Sequence, residues 1–270
     1  MTDNQLRAIG KKIRAHVLKM TLDSKSSHIG SALSIVEILV TLYFKILNTD
    51  PANINDPDRD KFILSKAHGS ASLYAILAEK KFFSLDVLKK YYVNGGILPG
   101  HLDKLSAPGI EFSTGSLGHG LGVGIGMAIA NKQGGLKGRI FVLIGDGECN
   151  EGSIWEGIMI ATHLKLDNLT VIVDYNKIQS FGYTNEVINQ EPVVDKWKSF
   201  GWDVIEINGH DFNELIDAFN KEQTNSKVII AHTVKGKGVS FMENKLEWHY
   251  KSPSETEYKK ALQELEIDEQ

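Results

Sequence analysis

Asp146 and Asn176 each follow a short apolar run that has the composition of a buried β-strand. The runs cover residues 139–145 and 169–174, and a stretch with helical character separates them. If the two runs form neighbouring parallel strands, both side chains reach the carboxyl edge of the sheet, where open α/β sheets bind ligands. Carboxylate and amide oxygens beside a glycine-flanked turn suit Mg²⁺ or Ca²⁺, and such an ion can hold a diphosphate.

The turn Gly145-Asp146-Gly147 lets the backbone approach a bulky ligand, because glycine adopts dihedral angles that other residues avoid. Asp146 alone would repel phosphate oxygens, so a cation must lie between them. For this motif by itself, a helix-capping turn with a surface carboxylate is the alternative, but Asn176 at the second strand end favours a metal–diphosphate site. Asp146, Asn176 and a backbone carbonyl such as that of Ile178 would leave room for phosphate oxygens and water around Mg²⁺.

A second glycine pattern, Gly122-Val-Gly124-Ile-Gly126, loosely imitates a dinucleotide-binding fingerprint. No clear strand precedes it, its spacing is wrong, and no acidic residue follows about 20 positions on to bind a ribose. The pattern instead predicts the close-packed start of a helix. A Walker loop is absent, because no Gly-Lys-Ser/Thr follows a glycine-rich turn.

Composition excludes several functional classes. The chain has 270 residues, of which 42% are hydrophobic and 24% charged, with a net charge of −4. Acids and bases are mixed along the chain, so the basic stripe of a nucleic-acid-binding protein is missing. No apolar run approaches the roughly 20 residues of a membrane span, and the polar N-terminus has no signal-peptide core. The single cysteine, Cys149, excludes an internal disulfide, is expected to be a packed thiol, and indicates a cytoplasmic location.

The order of elements predicts an α/β fold. An opening helix shows apolar residues at steps of three and four from Leu6 to Met20. Ser34 and Glu37 match a capping box, which predicts that the next helix begins near Ser34. Further strands are expected at residues 61–65, 203–207 and 227–232, with helices at 153–166 and 212–219 and a surface helix in the last 20 residues. Alternating strands and helices favour one domain, residues 1–270, with a mostly parallel sheet covered by helices on both faces.

Four histidines lie in loops beside glycine, where contacts with a ligand are more frequent than on a helix. They are His28, His68, His101 and His119. No two histidines of the chain have the close helical spacing of a zinc-binding pair.

Together these residues resemble the thiamine diphosphate enzymes, and more closely the N-terminal part of transketolase. The Gly-Asp-Gly turn and Asn176 match the two ends of the family's thiamine diphosphate motif. The chain is also similar to transketolase, in the same order, at four segments: Ser65-Lys-Ala-His68-Gly69, Leu98-Pro-Gly-His101, Ser113-Thr-Gly-Ser-Leu-Gly-His119-Gly and Lys235-Gly-Lys-Gly-Val-Ser-Phe-Met. The resemblance covers residues 5–255.

The resemblance implies the fold of the diphosphate-binding (PP) domain of that family. It also implies thiamine diphosphate- and Mg²⁺-dependent transfer of a two-carbon ketol unit from a ketose or ketose phosphate to an aldose, with Ca²⁺ or Mn²⁺ as substitute ions. A full transketolase is more than twice as long. The pyrimidine-binding and C-terminal domains are therefore expected on a partner chain, in a heterotetramer with two copies of each chain. No membrane or nucleic-acid partner is implied.

The resemblance also carries over individual residues. The metal ligands are expected to be Asp146, Asn176 and the carbonyl of Ile178. The cofactor contacts are expected to be His68, Gly115, Ser116, Leu117, Gly145, Asp146, Gly147, Glu148, Asn176, Ile178 and His249. The expected catalytic residues are His28 and His101, which bind donor hydroxyl groups and transfer protons, His249 near the substrate, and Glu151, which links the two active sites of a dimer.

Two positions depart from the family pattern, and three alternatives remain open. Transketolases commonly have His-Pro-Gly where this chain has His28-Ile29-Gly30, and often Trp-His-Gly where it has Trp248-His249-Tyr250. Both changes are expected to bear on the choice of donor or acceptor sugar rather than on the cofactor, so a specialised sugar pathway is one alternative to central pentose metabolism. The alpha chain of a 2-oxo acid dehydrogenase also carries a Gly-Asp-Gly motif. A degenerate, non-catalytic partner protein is the third alternative.

Overall fold

Five parallel strands form the sheet that carries the candidate site. A computed structural model describes residues 1–268. The strands are β1 (Lys61–Leu64), β2 (Ile140–Gly145), β3 (Leu169–Tyr175), β4 (Asp203–Asn208) and β5 (Lys227–His232). They lie in the order β1-β2-β3-β5-β4, and every neighbouring pair is parallel. The carboxyl ends of β1, β2, β3 and β5 therefore meet along one edge.

Ten α-helices connect and flank the strands within residues 1–268. They are α1 (Asp3–Ser24), α2 (Ile29–Leu33), α3 (Val36–Thr41), α4 (Ser70–Glu79), α5 (His119–Gln133), α6 (Gly152–His163), α7 (Thr184–Val187), α8 (Val193–Ser199), α9 (Phe212–Asn220) and α10 (Glu255–Leu265). The helices expected at residues 153–166 and 212–219 correspond to α6 and α9. No helix in this part of the chain is long and apolar enough to cross a membrane.

The central strands are buried on both faces, which explains their continuous apolar sequences. Successive side chains of β2 point to opposite faces. Phe141 and Leu143 join a core with α1, α3, α4, α9 and α10. Val142 and Ile144 join a second core with α5, α6 and α8. The prediction of a parallel sheet with helices on both faces is confirmed.

The glycine pattern at residues 122–126 lies within α5, as the sequence predicts. Gly124 faces the sheet, and a Cβ atom there would lie 2.4 Å from Cγ2 of Val142. Gly122 and Gly126 face open space, with no atom within 4 Å of such a Cβ. Close packing of helix on strand therefore explains Gly124 and excludes a nucleotide fingerprint here.

A helix begins near Ser34, as predicted, but Ser34 is not its N-cap. Ser34 closes α2, and α3 begins after Ile35. The single hydroxyl proton of Ser34 lies within reach of two acceptors, the carboxylate of Asp174 at 2.8 Å and the carbonyl of Ser31 at 3.0 Å, while Glu37 pairs with Arg14. The capping-box pattern depends on local sequence alone. In the folded chain, Ser34 and Glu37 bind side chains that are distant in sequence instead.

The predicted C-terminal surface helix is α10, and it is only half exposed. Tyr258, Ala261, Leu262 and Leu265 are buried, and the helix packs against α1. Residues 269 and 270 of the predicted segment lie outside the described residues.

Candidate active site

Asp146 and Asn176 lie together at the carboxyl edge of the sheet. β2 and β3 pair in register up to Gly145 and Asp174, so the residues after them leave the sheet side by side. The carboxylate of Asp146 accepts hydrogen bonds from the backbone N–H groups of Gly147 at 2.7 Å and Lys177 at 2.5 Å. Asp146 is 3% exposed and Asn176 6% exposed. The pair of strand ends is arranged as the sequence predicts.

A hydrogen bond to Asp174 fixes the orientation of the Asn176 side chain. The carboxylate of Asp174 accepts a hydrogen bond from Nδ2 of Asn176 at 2.9 Å and one from the hydroxyl of Ser34 at 2.8 Å. It also forms a fully buried ion pair with Lys66 at 2.5 Å and accepts a hydrogen bond from Thr233. Burial opposes ionisation, but Lys66 outweighs it and the pKa of Asp174 lies below its ordinary value. Oδ1 of Asn176 accepts one hydrogen bond, from the backbone N–H of Ile178 at 3.1 Å, and its second lone pair can bind a cation.

The carbonyl of Ile178 faces a lysine. Nζ of Lys235 donates to this carbonyl oxygen at 2.9 Å and to Nδ1 of His249 at 2.8 Å. An ammonium group cannot accept, so Nδ1 of His249 is the acceptor and the ring proton lies on Nε2. Lys235 thus holds one expected metal ligand and sets the tautomer of one expected catalytic histidine.

The charges at this edge fit a divalent ion with an anion. Burial, together with the nearby Asp174, raises the pKa of Asp146 to about 6, which is the response of a buried carboxylate that needs a cation. Burial and the nearby Lys66 lower the pKa of Lys235 to about 8, and its hydrogen bonds go to neutral acceptors. The three expected metal ligands are all oxygens, as Mg²⁺ requires. Within residues 1–268, no cluster of three His, Cys, Asp or Glu residues offers a different metal site.

Three histidines surround His28 and form a cluster of four rings with it. The centre of the His28 ring lies 5.4 Å from that of His68, 5.8 Å from that of His101 and 5.0 Å from that of His249. The backbone of His28 has φ 73°, a left-handed conformation that is uncommon outside glycine and concentrates at functional sites. Its N–H donates to the carbonyl of His249 at 2.8 Å, which joins the two loops.

Three rings of the cluster are uncharged at neutral pH. Burial and nearby positive charge lower the pKa of His28 to about 4 and that of His249 to about 3. Burial also holds the pKa of His68 well below its ordinary value. A neutral ring has one N–H donor and one acceptor nitrogen, the combination that contacts with sugar hydroxyl groups and proton transfer require. In His249 the acceptor nitrogen is already used by Lys235, so this ring offers its donor alone.

The strand ends and the histidines line one cavity of about 370 Å³. The residues of the predicted site that line it are His28, His68, His101, Gly115, Leu117, Gly145, Asp146, Gly147, Glu148, Glu151, Asn176, Ile178 and His249. Ser116 is exposed and does not line the cavity. His119 also lies outside it, at the exposed first turn of α5.

The two glutamates of the predicted site differ in environment. Glu148 is 1% exposed, and its carboxylate accepts from the hydroxyl of Ser65 and from the backbone N–H groups of Gly118 and Gly145. It therefore fastens the Gly-Asp-Gly turn to the segment that precedes α5. Glu151 occupies the N-cap position of α6 without a side-chain hydrogen bond to the helix, and it is exposed and lines the cavity.

Sequence reasoning assigned no role to the two buried lysines, Lys66 and Lys235. Each is 1% exposed, and both line the cavity. A usable signal was present, because Lys66 follows the end of β1 and Lys235 follows the end of β5 by three residues. The rule that identified Asp146 and Asn176 applies to these strand ends as well.

Comparison with known proteins agrees with this geometry. The family model described as "Transketolase, thiamine diphosphate binding domain" matches residues 6–270. An apulose-4-phosphate transketolase subunit of Actinobacillus succinogenes is 44% identical over 265 residues, covering 97% of this chain and 96% of that protein. The 6-deoxy-6-sulfo-D-fructose transketolase subunit SqwG of a Clostridium species is 42% identical, with coverage of 93% and 94%.

In full-length transketolases, the region that matches this chain is less than half of the sequence. The human enzyme is 33% identical over 96% of this chain and 42% of its own sequence. The crystal structure of transketolase from Campylobacter jejuni superimposes with a TM-score of 0.94 and 30% identity, over 99% of this chain and 44% of that one.

Proposed function

Since this chain belongs to the family of the transketolase thiamine diphosphate-binding domain, we propose that it is the N-terminal subunit of a split transketolase. In this proposal it is a single domain that binds thiamine diphosphate through Mg²⁺. When bound, this cofactor would supply an electron sink for the two-carbon fragment of a ketose. A partner chain supplies the pyrimidine-binding half of the site.

The observation that carries this proposal is a buried lysine beside a buried carboxylate at the same sheet edge. The ammonium of Lys235 is hydrogen-bonded only to a carbonyl and an imidazole in the described chain. Asp146 next to it is buried, and its pKa is raised by burial and by Asp174. A divalent ion on Asp146 and a diphosphate against Lys235 would neutralise both charges. Asp146, Asn176 and the carbonyl of Ile178 are the proposed metal ligands.

The remaining residues of the cavity act on the sugar. The imidazole rings of His28 and His101 can donate and accept hydrogen bonds with hydroxyl groups, and His101 is exposed at the mouth of the cavity. His249 presents its Nε2 proton, since Nδ1 is held by Lys235. We assign proton transfer at the substrate hydroxyl groups to His28 and His101.

Exposed apolar side chains at the rim of the cavity favour the presence of a partner chain. Phe181 and Tyr250 line the cavity and are 82% and 61% exposed. Exposed aromatic side chains at a rim are typical of an interaction surface. The relatives that match over their whole length are named as transketolase subunits. We propose an assembly with two copies of each chain, in which Glu151 meets the neighbouring site, and a location in the cytoplasm.

We propose that the substrate is a sugar of a specialised pathway rather than one of central pentose metabolism. The two whole-length relatives reported above are named for apulose 4-phosphate and for 6-deoxy-6-sulfo-D-fructose. Tyr250 is consistent with this, because its ring lies 4.8 Å from that of His249 and 6.3 Å from that of His28. A bulky side chain at this position narrows the space available to the sugar.

The test is to co-purify this chain with its partner, measure thiamine diphosphate binding by calorimetry, and assay a panel of ketose donors and aldose acceptors. Mg²⁺-dependent binding and ketol transfer by the complex, with neither chain active alone, are expected. Asp146→Ala should abolish Mg²⁺-dependent binding, whereas Asp217→Ala, on the exposed face of α9, should leave it unchanged. Transfer by the isolated chain, or unchanged cofactor affinity in Asp146→Ala, would contradict the proposal.

A further inference from the structure

We infer that a buried network of side chains outside the cavity positions Lys235 in the candidate site. The network consists of Arg14, Glu37 and His210, and none of the three lines the cavity. They are therefore positioning residues, which act on a bound anion only through Lys235. This role rests on the proposed function, in which the ammonium of Lys235 meets a diphosphate.

The segment that carries Lys235 follows β5, and the network holds its backbone on both sides of this residue. Nε2 of His210, in the loop between β4 and α9, accepts a hydrogen bond from the backbone N–H of Val234 at 2.8 Å. Nε of Arg14, in α1, donates to the backbone carbonyl of Lys237 at 2.8 Å. Lys235 lies between these two anchored residues.

Glu37, in α3, joins the two anchors. Its carboxylate pairs with Nη2 of Arg14 at 2.7 Å and lies 2.9 Å from Nδ1 of His210. Since Nε2 of His210 accepts from a backbone N–H, the ring proton must lie on Nδ1, and Nδ1 donates to the carboxylate. Glu37 therefore favours the one tautomer in which His210 can accept from Val234.

The backbone next to Lys235 needs such anchors, because two of the next three residues are glycines. Gly236 and Gly238 have φ of 81° and 93°, a region that glycine enters without steric cost, and they have no side chains to hold this course. Gly238 lies directly against the network, since a Cβ atom there would be 2.5 Å from Nε of Arg14. Backbone hydrogen bonds to other segments hold Lys235 and Gly236, and the network adds anchors on either side of them.

The position of this backbone decides where the ammonium of Lys235 lies. Nζ must reach the carbonyl of Ile178 at 2.9 Å and Nδ1 of His249 at 2.8 Å, and hydrogen bonds weaken steeply when their geometry is distorted. Arg14 and Glu37 are 5% and 8% exposed. Loss of one charged partner leaves the other buried without its counter-charge, so a change in the network should displace the segment and, with it, the ammonium.

The first experiment follows the hydrogen bond between Lys235 and His249 in the full chain without ligand. The ¹⁵N signal of Nδ1 of His249 in histidine-labelled protein reports this bond, and Lys235→Met gives the position of the signal without it. His210→Ala and Glu37→Gln should each move the signal in the direction of Lys235→Met. Circular dichroism establishes that the variants are folded.

Asp60→Asn is the matched control for Glu37→Gln. Asp60 is 4% exposed and pairs with Arg139 at 2.7 Å, so this substitution also replaces a buried carboxylate beside an arginine by an amide. Asp60 and Arg139 directly precede β1 and β2, at the amino edge of the sheet, whereas Lys235 follows β5 at the carboxyl edge. A loss of stability is common to both variants, but Asp60→Asn should leave the His249 signal unchanged.

The second experiment is a double-mutant cycle on the affinity of the Mg²⁺-loaded complex of both chains for inorganic pyrophosphate, measured by calorimetry. Lys235→Met should weaken binding about 10- to 100-fold, the loss typical of a hydrogen bond to a charged group. His210→Ala should weaken it about 10-fold, and the double variant should bind no more weakly than Lys235→Met alone, because the two residues act as one unit. A separate structural role for His210 predicts that the two losses multiply.

The outcomes separate the inference from the function beneath it. A His249 signal that stays in place in either folded network variant, or that Asp60→Asn moves equally, would overturn the inference, and so would losses of affinity that multiply. If the unaltered complex binds neither pyrophosphate nor thiamine diphosphate, the proposed function fails. The His249 signal then decides by itself whether the network positions Lys235.

Discussion

The side-chain amide of Asn176 donates a hydrogen bond of 2.9 Å to the carboxylate of Asp174, two residues earlier at the end of β3. The same carboxylate pairs with Lys66 at 2.5 Å, and neither charged side chain is more than 1% exposed. A buried ion pair thus holds the orientation of an expected metal ligand, although 108 residues separate its two members in the chain.

Asp174→Asn should destabilise the chain by about 3–5 kcal/mol, because it leaves the ammonium of Lys66 buried without its counter-charge. Urea denaturation measures this free energy of unfolding. The double variant Asp174→Asn, Lys66→Met removes both charges and should recover most of the loss. Equal destabilisation in the single and double variants would show that the ion pair is not the source of the effect.

His28 and His249 should remain neutral well below pH 6. Burial and nearby positive charge lower their pKa values to about 4 and about 3. A lowered pKa means that protonation begins only as the pH falls toward these values, so their ring signals should be constant between about pH 5.5 and 8. The measurement is an NMR titration of the ligand-free chain with ¹³C-labelled histidine, with His28→Ala and His249→Ala used to assign the signals. A midpoint near 6.5 for either ring would contradict the prediction.

Gly124→Ala should destabilise the chain by about 1–3 kcal/mol, the usual cost of an overpacked core. Its Cβ atom would lie 2.4 Å from Cγ2 of Val142 on β2. Gly122→Ala is the matched control in the same helix, since no atom lies within 4 Å of its Cβ position. Alanine is the better helix former, so this control should raise the free energy of unfolding by up to about 1 kcal/mol. Thermal or urea unfolding tests whether the two substitutions change the free energy of unfolding in opposite directions.

Glu37→Gln should lower the free energy of unfolding of the chain by an amount that depends on pH. Burial opposes ionisation of Glu37, but Arg14 and His210 outweigh it and lower its pKa from 4.5 to about 2. A lowered pKa in the folded state stabilises the chain above the unfolded value of 4.5, and this contribution disappears as the pH falls toward 2. The variant should be about 3 kcal/mol less stable at pH 7, and the difference should shrink between pH 4.5 and 2. A difference that is independent of pH would disprove the assignment.

His101→Ala should lower kcat of the complex about 10²- to 10⁴-fold, as expected for the loss of an acid–base group. His101 is exposed and lines the cavity, and it is not among the proposed ligands of the metal ion. Thiamine diphosphate affinity should therefore stay unchanged, and calorimetry together with steady-state kinetics separates the two effects. An unchanged kcat would remove His101 from the mechanism.

Much of the fold and of the site could be predicted because polar residues are conspicuous at the ends of buried strands. β2 and β3 are covered on both faces, so they must be apolar along their length. Asp146 and Asn176 therefore mark the strand ends, and parallel pairing brings them to one edge without further information. The histidine cluster needed the family resemblance as well, since nothing in the local sequence says that the rings of His68, His101 and His249 converge on His28.

Tertiary structure decided which polar groups act as partners. A lysine in a sequence is usually at the surface, and only the convergence of the loops after β1 and β5 buries Lys66 and Lys235. Ser34 has the local pattern of a helix cap, but the carboxylate of Asp174 takes its hydroxyl. The tautomer of His210 likewise follows from Glu37 and the backbone of Val234 rather than from its neighbours in sequence. Periodicity and strand ends are properties of short segments, whereas the partner of a buried polar group is chosen by residues that are distant in the chain.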